Sequence, residues 1–392
     1  MNAIAEGVFS HLDKSVSFVR DHTVLLCIAG SRAYGTHTPD SDFDYKGCCV
    51  PPKRYYIGNT TFEQAEIKKP KKPQPGDEEK PDTTIFELRK AFNLCAAANP
   101  NTLEMLFTDP SDQIIVDPIG EVLIDNRHKF LSKRIKHSAV GYAVGQLRKM
   151  QQHRQYLLNP VKEPPTRASL GLPERTLIPQ DQLLAASASI QKELDRFNFD
   201  FIGELQETTK IEIRNIMAEM LAEYRITTED MWMSAARKTG LSDNFIELMQ
   251  REREYINKKR DYEKYLSWKA GRNKSRAADE EKFGYSGKFA VHLVRLIRMA
   301  RECLQTGNLI VKRPDAEELL AIRNGAWKFE EIVEYAQRED KALDELYRTS
   351  TVLPHTPDHE FLNELCMSLI EKSLSRYSWH NARKWLHKLA LG

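Results

Sequence analysis

The sequence lacks the features that mark several classes of protein. No apolar run approaches the roughly 20 residues that a helix needs to span a bilayer, and no internal repeat recurs along the 392 residues. None of the six cysteines forms a Cys-x-x-Cys pair, so we expect buried free thiols and a cytoplasmic location rather than disulfides or a metal cluster. Residues 1–15 mix acidic and basic side chains without a small-residue cleavage site, so no signal peptide is expected.

A strong charge of either sign is also absent. The chain has 58 lysines and arginines against 56 aspartates and glutamates, a net charge of only +2. This balance excludes a uniformly basic protein but not a local basic groove, so charge has to be considered segment by segment. Apolar residues make up 41% of the chain and charged residues 29%, which is typical of a globular protein with enough length for two or three domains.

The pattern of apolar segments predicts an α+β fold. Thr23–Ala29 is a compact apolar run typical of a buried strand, and Phe43–Val50 is a second strand candidate that ends before two prolines. Helical patterning dominates the later part of the chain. We therefore predict a small domain over residues 1–115 and a mostly α-helical region over 116–392, which holds an inserted helical segment at about 150–280.

Two amphipathic helices are predicted outside these strands. Residues 4–19 place apolar side chains near one face of a helix. Ser286–Gln305 forms the second helix, and Gly307 is its expected C-cap.

The most informative segment follows the first strand and reads GSRAYGTHTPDSDFD, residues 30–44. A Gly30-Ser31 turn at that position would open a short helix whose free N–H groups face outward. Such groups bind the oxygens of a triphosphate, and the Ser31 hydroxyl adds a further hydrogen bond. Gly30 lets the backbone come close to those phosphates.

The same segment ends in two aspartates with one residue between them. On a strand, this spacing places Asp42 and Asp44 on one face and turns Phe43 into the core. Two carboxylates on one face repel each other unless a cation lies between them. Magnesium, a hard ion that prefers carboxylate and phosphate oxygens, is the cation that this pattern favours.

These residues resemble the signature of the DNA polymerase beta superfamily. The closer resemblance is to the predicted nucleotidyltransferase family of bacterial RNA-repair gene clusters. It extends to FELRKAFNLCAAANPNTLEMLF at 86–107 and HLVRLIRMARECLQTGNLIVKRPDAEELLAIRNGAW at 292–327. The resemblance implies a polymerase beta-like palm with a small mixed sheet in residues 1–115. It also implies transfer of a nucleoside monophosphate from a nucleoside triphosphate to a hydroxyl, with an RNA end, such as a tRNA end, as acceptor.

The resemblance also implies roles for individual residues. Gly30 and Ser31 would hold the nucleotide phosphates, while Asp42 and Asp44 would bind two magnesium ions. By this resemblance, we expect a third carboxylate on a nearby strand, where it would serve as a metal ligand or general base. Asp82 is the first choice because it opens an apolar segment just before a helix. The rivals for this role are Glu78 and Glu87.

Several further residues are candidates for nucleotide binding. Arg32 could neutralise phosphate charge and Tyr34 could stack on a base, although a surface ion pair and a core aromatic are the alternatives. Lys288, His292 and Arg295 form one stripe of the predicted helix Ser286–Gln305. A cationic stripe suits a triphosphate or a nucleic-acid backbone across a cleft, and the alternative is an ordinary solvated helix face.

Two charged segments are further candidates for contact with nucleic acid. Lys68–Pro81 is rich in proline and lysine and reads as an exposed, mobile loop. Lys258–Arg276 mixes basic and aromatic residues, although it also suits a charged helix.

The sequence alone does not identify the acceptor of the nucleotide. Transfer of the nucleotide to a protein or a small molecule would use the same chemistry, and a non-catalytic RNA-binding protein on this fold is a further alternative. The sequence indicates neither which nucleoside triphosphate is used nor the oligomeric state.

Overall fold

Five strands of the N-terminal region form a single mixed sheet. The computed structural model describes residues 3–39, 41–67, 80–161, 163–176, 178–195, 228–272 and 274–390. The strands are β1 Thr23–Ala29, β2 Asp44–Cys49, β3 Gln64–Ile67, β4 Asp82–Glu87 and β5 Gln113–Val116. They lie in the order β3-β4-β2-β1-β5. Only the pair of β2 and β4 is parallel, whereas β1 pairs with β2 and β5, and β3 with β4, in antiparallel fashion.

Helices occupy most of the remaining described residues. Those before residue 160 are α1 Ala3–Phe9, α2 Val19–His22, α3 Gly30–Tyr34, α4 Arg54–Ile57, α5 Leu88–Ala96, α6 Pro100–Leu106, α7 Pro118–Asp125 and α8 Ile135–Leu158. Those after it are α9 Gln180–Asp195, α10 Thr228–Lys238, α11 Asp243–Ala270, α12 Lys274–Phe283, α13 Gly287–Thr306, α14 Ala316–Arg323, α15 Phe329–Thr349 and α16 His359–Ala390. None of the helices in the described ranges combines the length and apolar character needed to cross a membrane.

The chain divides into two compact units. The first combines Met1–Leu157 with Asn273–Gly392, and the second is Leu158–Arg272. The second unit has a small core of its own, in which Ile190 of α9, Trp232 and Ala236 of α10, and Ile246 of α11 are buried together.

The sheet of the first unit has an apolar core on each face because its strands alternate two sets of side chains. On one face, Cys27 and Cys48 pack with the helices that follow β4, including Leu293 of α13. On the other face, Leu26 and Tyr45 pack with residues of α1. All six cysteines are buried and free, as their apolar surroundings in the sequence predict.

The predicted α+β class, a small mixed sheet followed by helices, is confirmed. The predicted single helix over residues 4–19 is wrong. Helix α1 ends at Phe9, and a separate 3-10 turn, Lys14–Val16, begins where the Asp13 carboxylate accepts the Ser15 N–H at 2.8 Å. An aspartate competes in this way for backbone N–H groups and interrupts a helix. The helix predicted over Ser286–Gln305 is α13, which ends at Gly307 in the left-handed conformation.

Candidate active site

The strand register brings the main parts of the motif to one end of the sheet. Asp44, the first residue of β2, pairs with Ala29 of β1 on one side and with Asp82 of β4 on the other. Paired residues on neighbouring strands point to the same face and lie about 4.8 Å apart. The Asp44 and Asp82 carboxylates are therefore neighbours, and Gly30 follows Ala29 directly beside them.

Gly30 lies in contact distance of the Asp44 carboxylate. Its φ of +64° belongs to the left-handed region, which favours glycine. A Cβ atom added at this position would overlap Oδ2 of Asp44. Gly30 also begins α3, whose N-cap residue Ala29 has no side-chain group that could cap the first N–H groups. The glycine thus serves both the close approach to Asp44 and the turn into the helix that carries Ser31.

The pKa of Asp44 is raised above its ordinary value, first by burial and next by the charge of Asp82. Asp42 raises this pKa further, whereas Lys288 and Lys46 lower it. Burial and neighbouring carboxylates destabilise the ionised form, so the site favours an added positive charge. A cation shared by these carboxylates would remove the repulsion between them.

Asp42 lies in the loop before β2 rather than on the strand, and Arg32 holds this loop. The guanidinium of Arg32 donates to the carbonyl oxygens of Ser41 at 2.7 Å and of Asp42 at 3.3 Å. The same group lies 3.7 Å from the ring centroid of Phe43. Arg32 therefore contacts the loop that carries Asp42, and its role towards phosphate stays a prediction.

The prediction that Phe43 points into the core is wrong. Its side chain is 46% exposed, because the core on that face of the sheet ends at Tyr45, on which the Phe43 ring is stacked. Phe43 also precedes the first residue of β2, so the alternation of side chains along the strand does not fix its direction.

Tyr34 and Arg295 belong to a buried ion cluster rather than to the site surface. The Tyr34 hydroxyl donates to Oε2 of Glu104 at 2.6 Å, and the Arg295 guanidinium pairs with Oε1 of the same carboxylate. Arg295 also lies 3.7 Å from the centroid of the Tyr34 ring. Arg295 is 2% exposed and Tyr34 4% exposed, so we do not retain the predicted contact of these two side chains with nucleotide.

Glu104 and Lys46 were not singled out from the sequence. Lys46 shares the Asp44 face of β2, and its Nζ donates to the Asn101 carbonyl at 2.8 Å. Burial lowers the pKa of Lys46, and the charge of Glu104 opposes this effect. The spacing of Asp44 and Lys46 on one strand was a usable signal for Lys46. Glu104 had none, because its partner Arg295 is 191 residues away.

The predicted cationic stripe on α13 does not share one environment. Lys288 is exposed and close enough to lower the pKa of Asp44, His292 is half-buried, and Arg295 is buried in the cluster with Glu104. Of the three, Lys288 is the side chain whose charge acts on the carboxylates.

The rivals for the third carboxylate differ from Asp82 in position. Glu87 is at the opposite end of β4 and on the opposite face from Asp82, is 3% exposed, and caps α5 by accepting the Lys90 N–H at 3.0 Å. It also accepts the Tyr56 hydroxyl at 2.9 Å. Glu78, and all of the lysine-rich segment except Lys80 and Pro81, lie outside the described residues. Asp82 is thus the candidate that adjoins Asp44.

The donor set fits a hard divalent cation that a nucleotide would help to bind. In the ranges that the structure describes, no three His, Cys, Asp or Glu side chains converge as a complete metal cage. Magnesium does not require one, because one or two carboxylates suffice when substrate phosphates and water supply the other oxygens. Asp44 and Asp82, with Asp42 close enough to act on the Asp44 pKa, offer such a partial set.

The chain is similar to known proteins over part of its length. Residues 4–161 match the RlaP family, described as the RNA repair pathway DNA polymerase beta family. An uncharacterized 38.9 kDa protein in the nrdC-mobD intergenic region of Enterobacteria phage T4 is 31% identical over 122 residues. That alignment covers 31% of this chain and 36% of the phage protein.

No solved structure matches the chain. The family match includes β1, β2 and β4 and with them Gly30, Asp44 and Asp82. The similarity of this chain to the RNA repair pathway DNA polymerase beta family thus covers residues 4–161.

Proposed function

We propose that the protein is a magnesium-dependent nucleotidyltransferase that moves a nucleoside monophosphate from a nucleoside triphosphate to an acceptor hydroxyl and releases pyrophosphate. The observation that carries the proposal is the register of Ala29, Asp44 and Asp82 across three strands, which puts two carboxylates beside Gly30. Residues 1–115 are the proposed catalytic domain. The helices from residue 116 onward, with the inserted segment at about 150–280, complete the chain.

Each proposed role follows from the position of the residue. Asp42, Asp44 and Asp82 would hold magnesium, which when bound stabilises the charge that develops on the phosphates and lowers the pKa of a bound hydroxyl. Gly30 and Ser31 would seat the triphosphate next to these carboxylates. Lys288, whose charge acts on Asp44, would neutralise phosphate charge from α13, with His292 one turn further along that helix.

An RNA end, such as a tRNA end, is the proposed acceptor. The choice of RNA as acceptor is supported by the description of the matched family, which names an RNA repair pathway. A hydroxyl at an RNA end is a nucleophile of the kind that the proposed reaction needs.

Incubation with magnesium, each labelled nucleoside triphosphate in turn and total tRNA tests the proposal. We expect label in RNA with the unmodified protein and none with Asp44→Asn. Asp125→Asn is the matched control, because Asp125 is an exposed aspartate at the end of α7, and it should label RNA as the unmodified protein does.

The place of the label separates the alternatives. Label in the protein itself or in an added small molecule would redirect the proposal to nucleotidylation of that acceptor. Retention of RNA on a filter with no label under any condition would contradict the enzymatic function and leave a non-catalytic RNA-binding protein.

A further inference from the structure

A wide groove borders the candidate site on the side of Phe43. It has a volume of about 780 Å³ and is lined by α1, by the loop that carries Asp42, and by the residues just before β4. This volume lies within the range of pockets that hold ligands of nucleotide size. Asp42 lines the groove and also acts on Asp44. The groove therefore reaches the end of the sheet at Asp42, while Tyr45 in its wall belongs to the sheet face opposite Asp44.

Stacked planar groups form one wall of this groove. The Phe43 ring is parallel to the Tyr45 ring within 11°, with 6.2 Å between their centroids, and Arg32 lies 3.7 Å from the Phe43 centroid. Because Arg32 is also bonded to two loop carbonyls, the stack is held in place before any ligand arrives. Exposed aromatic rings and guanidinium planes are the surfaces on which unpaired bases stack.

The charges of the groove suit a nucleic-acid backbone. Its lining residues among those described include the cations Arg32 and Lys80, whereas Asp42 is the acidic member of this set. Cationic side chains along a groove attract phosphates regardless of base sequence. Neither Gly30 nor Lys288 lines the groove, so it is distinct from the proposed seat of the triphosphate.

We propose that this groove seats the single-stranded end of the RNA acceptor, with a base stacked on the layer of Arg32 and Phe43. The choice of RNA as occupant rests on the proposed function. Asp42 would then stand between the acceptor in the groove and the nucleotide beside Asp44, and the acceptor hydroxyl would reach the carboxylates past Asp42.

A bulky side chain at Gly7 gives a direct test. Gly7 is an exposed residue of α1 that lines the groove, and a Cβ added there meets no atom within 4 Å. Gly7→Trp should therefore fold normally and fill the groove. Gly141→Trp is the matched control, since Gly141 is also an exposed helical glycine with no atom within 4 Å of an added Cβ.

Binding of a fluorescein-labelled oligoadenylate of about ten nucleotides, a length within known single-strand site sizes, is measured by fluorescence anisotropy. Gly7→Trp should abolish binding. Phe43→Ala should raise the Kd about 5- to 150-fold, the loss of one stacked base. Phe361→Ala, at an exposed phenylalanine that also has a cation, Lys129, near its ring, should leave the Kd unchanged.

The result separates this inference from the proposed function. Binding of a non-hydrolysable nucleoside triphosphate should be equal in Gly7→Trp, Gly141→Trp, Phe361→Ala and the unmodified protein. If Gly7→Trp transfers label to RNA with an unchanged Kd and KM for RNA, the result would contradict RNA binding in the groove and support the nucleotidyltransferase activity. No RNA binding by the unmodified protein would also contradict RNA binding in the groove. If RNA binding depends on the groove but no nucleotide is transferred, the result would support RNA binding in the groove and contradict the nucleotidyltransferase activity.

Discussion

Two groups of charged side chains lie on the same face of the sheet and differ in the charges that surround the central carboxylate. In the buried cluster, Glu104 accepts a hydrogen bond from Tyr34 and pairs with Arg295. At the end of the sheet, Asp44 has Asp82 and Asp42 as like-charged neighbours, and its pKa is raised by burial and by these charges. Lys46 interacts with both groups.

We interpret this difference as the difference between a structural cluster and a proposed functional site. A buried carboxylate is tolerable when the protein supplies every partner, as it does for Glu104. The repulsion at Asp44 has a cost in folding and is expected where a ligand brings the missing positive charge. The predictions below test this contrast between Asp44 and Glu104.

The largest expected effect is on catalysis. Asp44→Asn should lower the rate of nucleotidyl transfer by more than about 1,000-fold, the upper end of what one oriented electrostatic partner contributes. Single-turnover transfer to tRNA measures this loss. A residual rate within tenfold of the unmodified protein would contradict the assignment of Asp44 to the reacting centre.

Breaking the buried cluster should act on stability instead. Arg295→Met leaves Glu104 buried without its cationic partner, so the free energy of unfolding in urea should fall by about 3 kcal/mol. Arg376→Met is the control, because Arg376 pairs with Asp117 at 3.4 Å on the surface and should cost under about 1 kcal/mol. An equal loss of unfolding free energy in the two variants would show that the buried pair contributes no more to stability than the surface pair.

Magnesium should stabilise the end of the sheet through Asp44. At about 100 times its Kd, a ligand adds about 2.7 kcal/mol to the free energy of unfolding, so magnesium with a non-hydrolysable nucleoside triphosphate should raise the Tm of the unmodified protein. Asp44→Asn should show little of this rise.

Without magnesium, Asp44→Asn should melt at or above the Tm of the unmodified protein at neutral pH. The pKa of Asp44 is raised in the folded state, so its ionised form costs stability at that pH. This advantage of Asn should disappear below the ordinary pKa of aspartate, where Asp44 is neutral in the folded and the unfolded chain. A fall in Tm at neutral pH would contradict the raised pKa.

The smallest effect is expected from the cation opposite Asp44. Lys288→Met should raise the KM for the nucleoside triphosphate about tenfold, or about 1.4 kcal/mol, and change kcat less. Lys282→Met, at an exposed residue of α12, is the matched control for the loss of one surface charge. An equal KM for the nucleoside triphosphate in the two variants would contradict the proposed contact of Lys288 with the nucleotide.

The local parts of this site could be predicted from the sequence because their signals are local. The apolar run before Gly30 and the spacing of the aspartates predicted a strand, a turn and a second strand, and the structure has them as β1, α3 and β2. The choice of Asp82 as the third ligand stays a prediction, although its register beside Asp44 supports it.

Non-local contacts could not be predicted in this way. The stripe of Lys288, His292 and Arg295 follows helical spacing, but which of its members meets solvent depends on what packs against α13. Arg295 meets Glu104 from a distant part of the chain. The exposure of Phe43 depends likewise on where α1 ends and the core beneath it stops.

The discontinuous first unit has a consequence for synthesis on the ribosome, which delivers a chain from its N-terminus. The matched segment ends at residue 161, whereas Arg295 and Lys288 emerge only after the whole of Leu158–Arg272. Until α13 has been translated, the nascent chain lacks Arg295, the cation that pairs with Glu104. The growing polypeptide would therefore acquire Lys288 and the ion pair of Arg295 with Glu104 late, and a chain truncated at the family boundary would lack both.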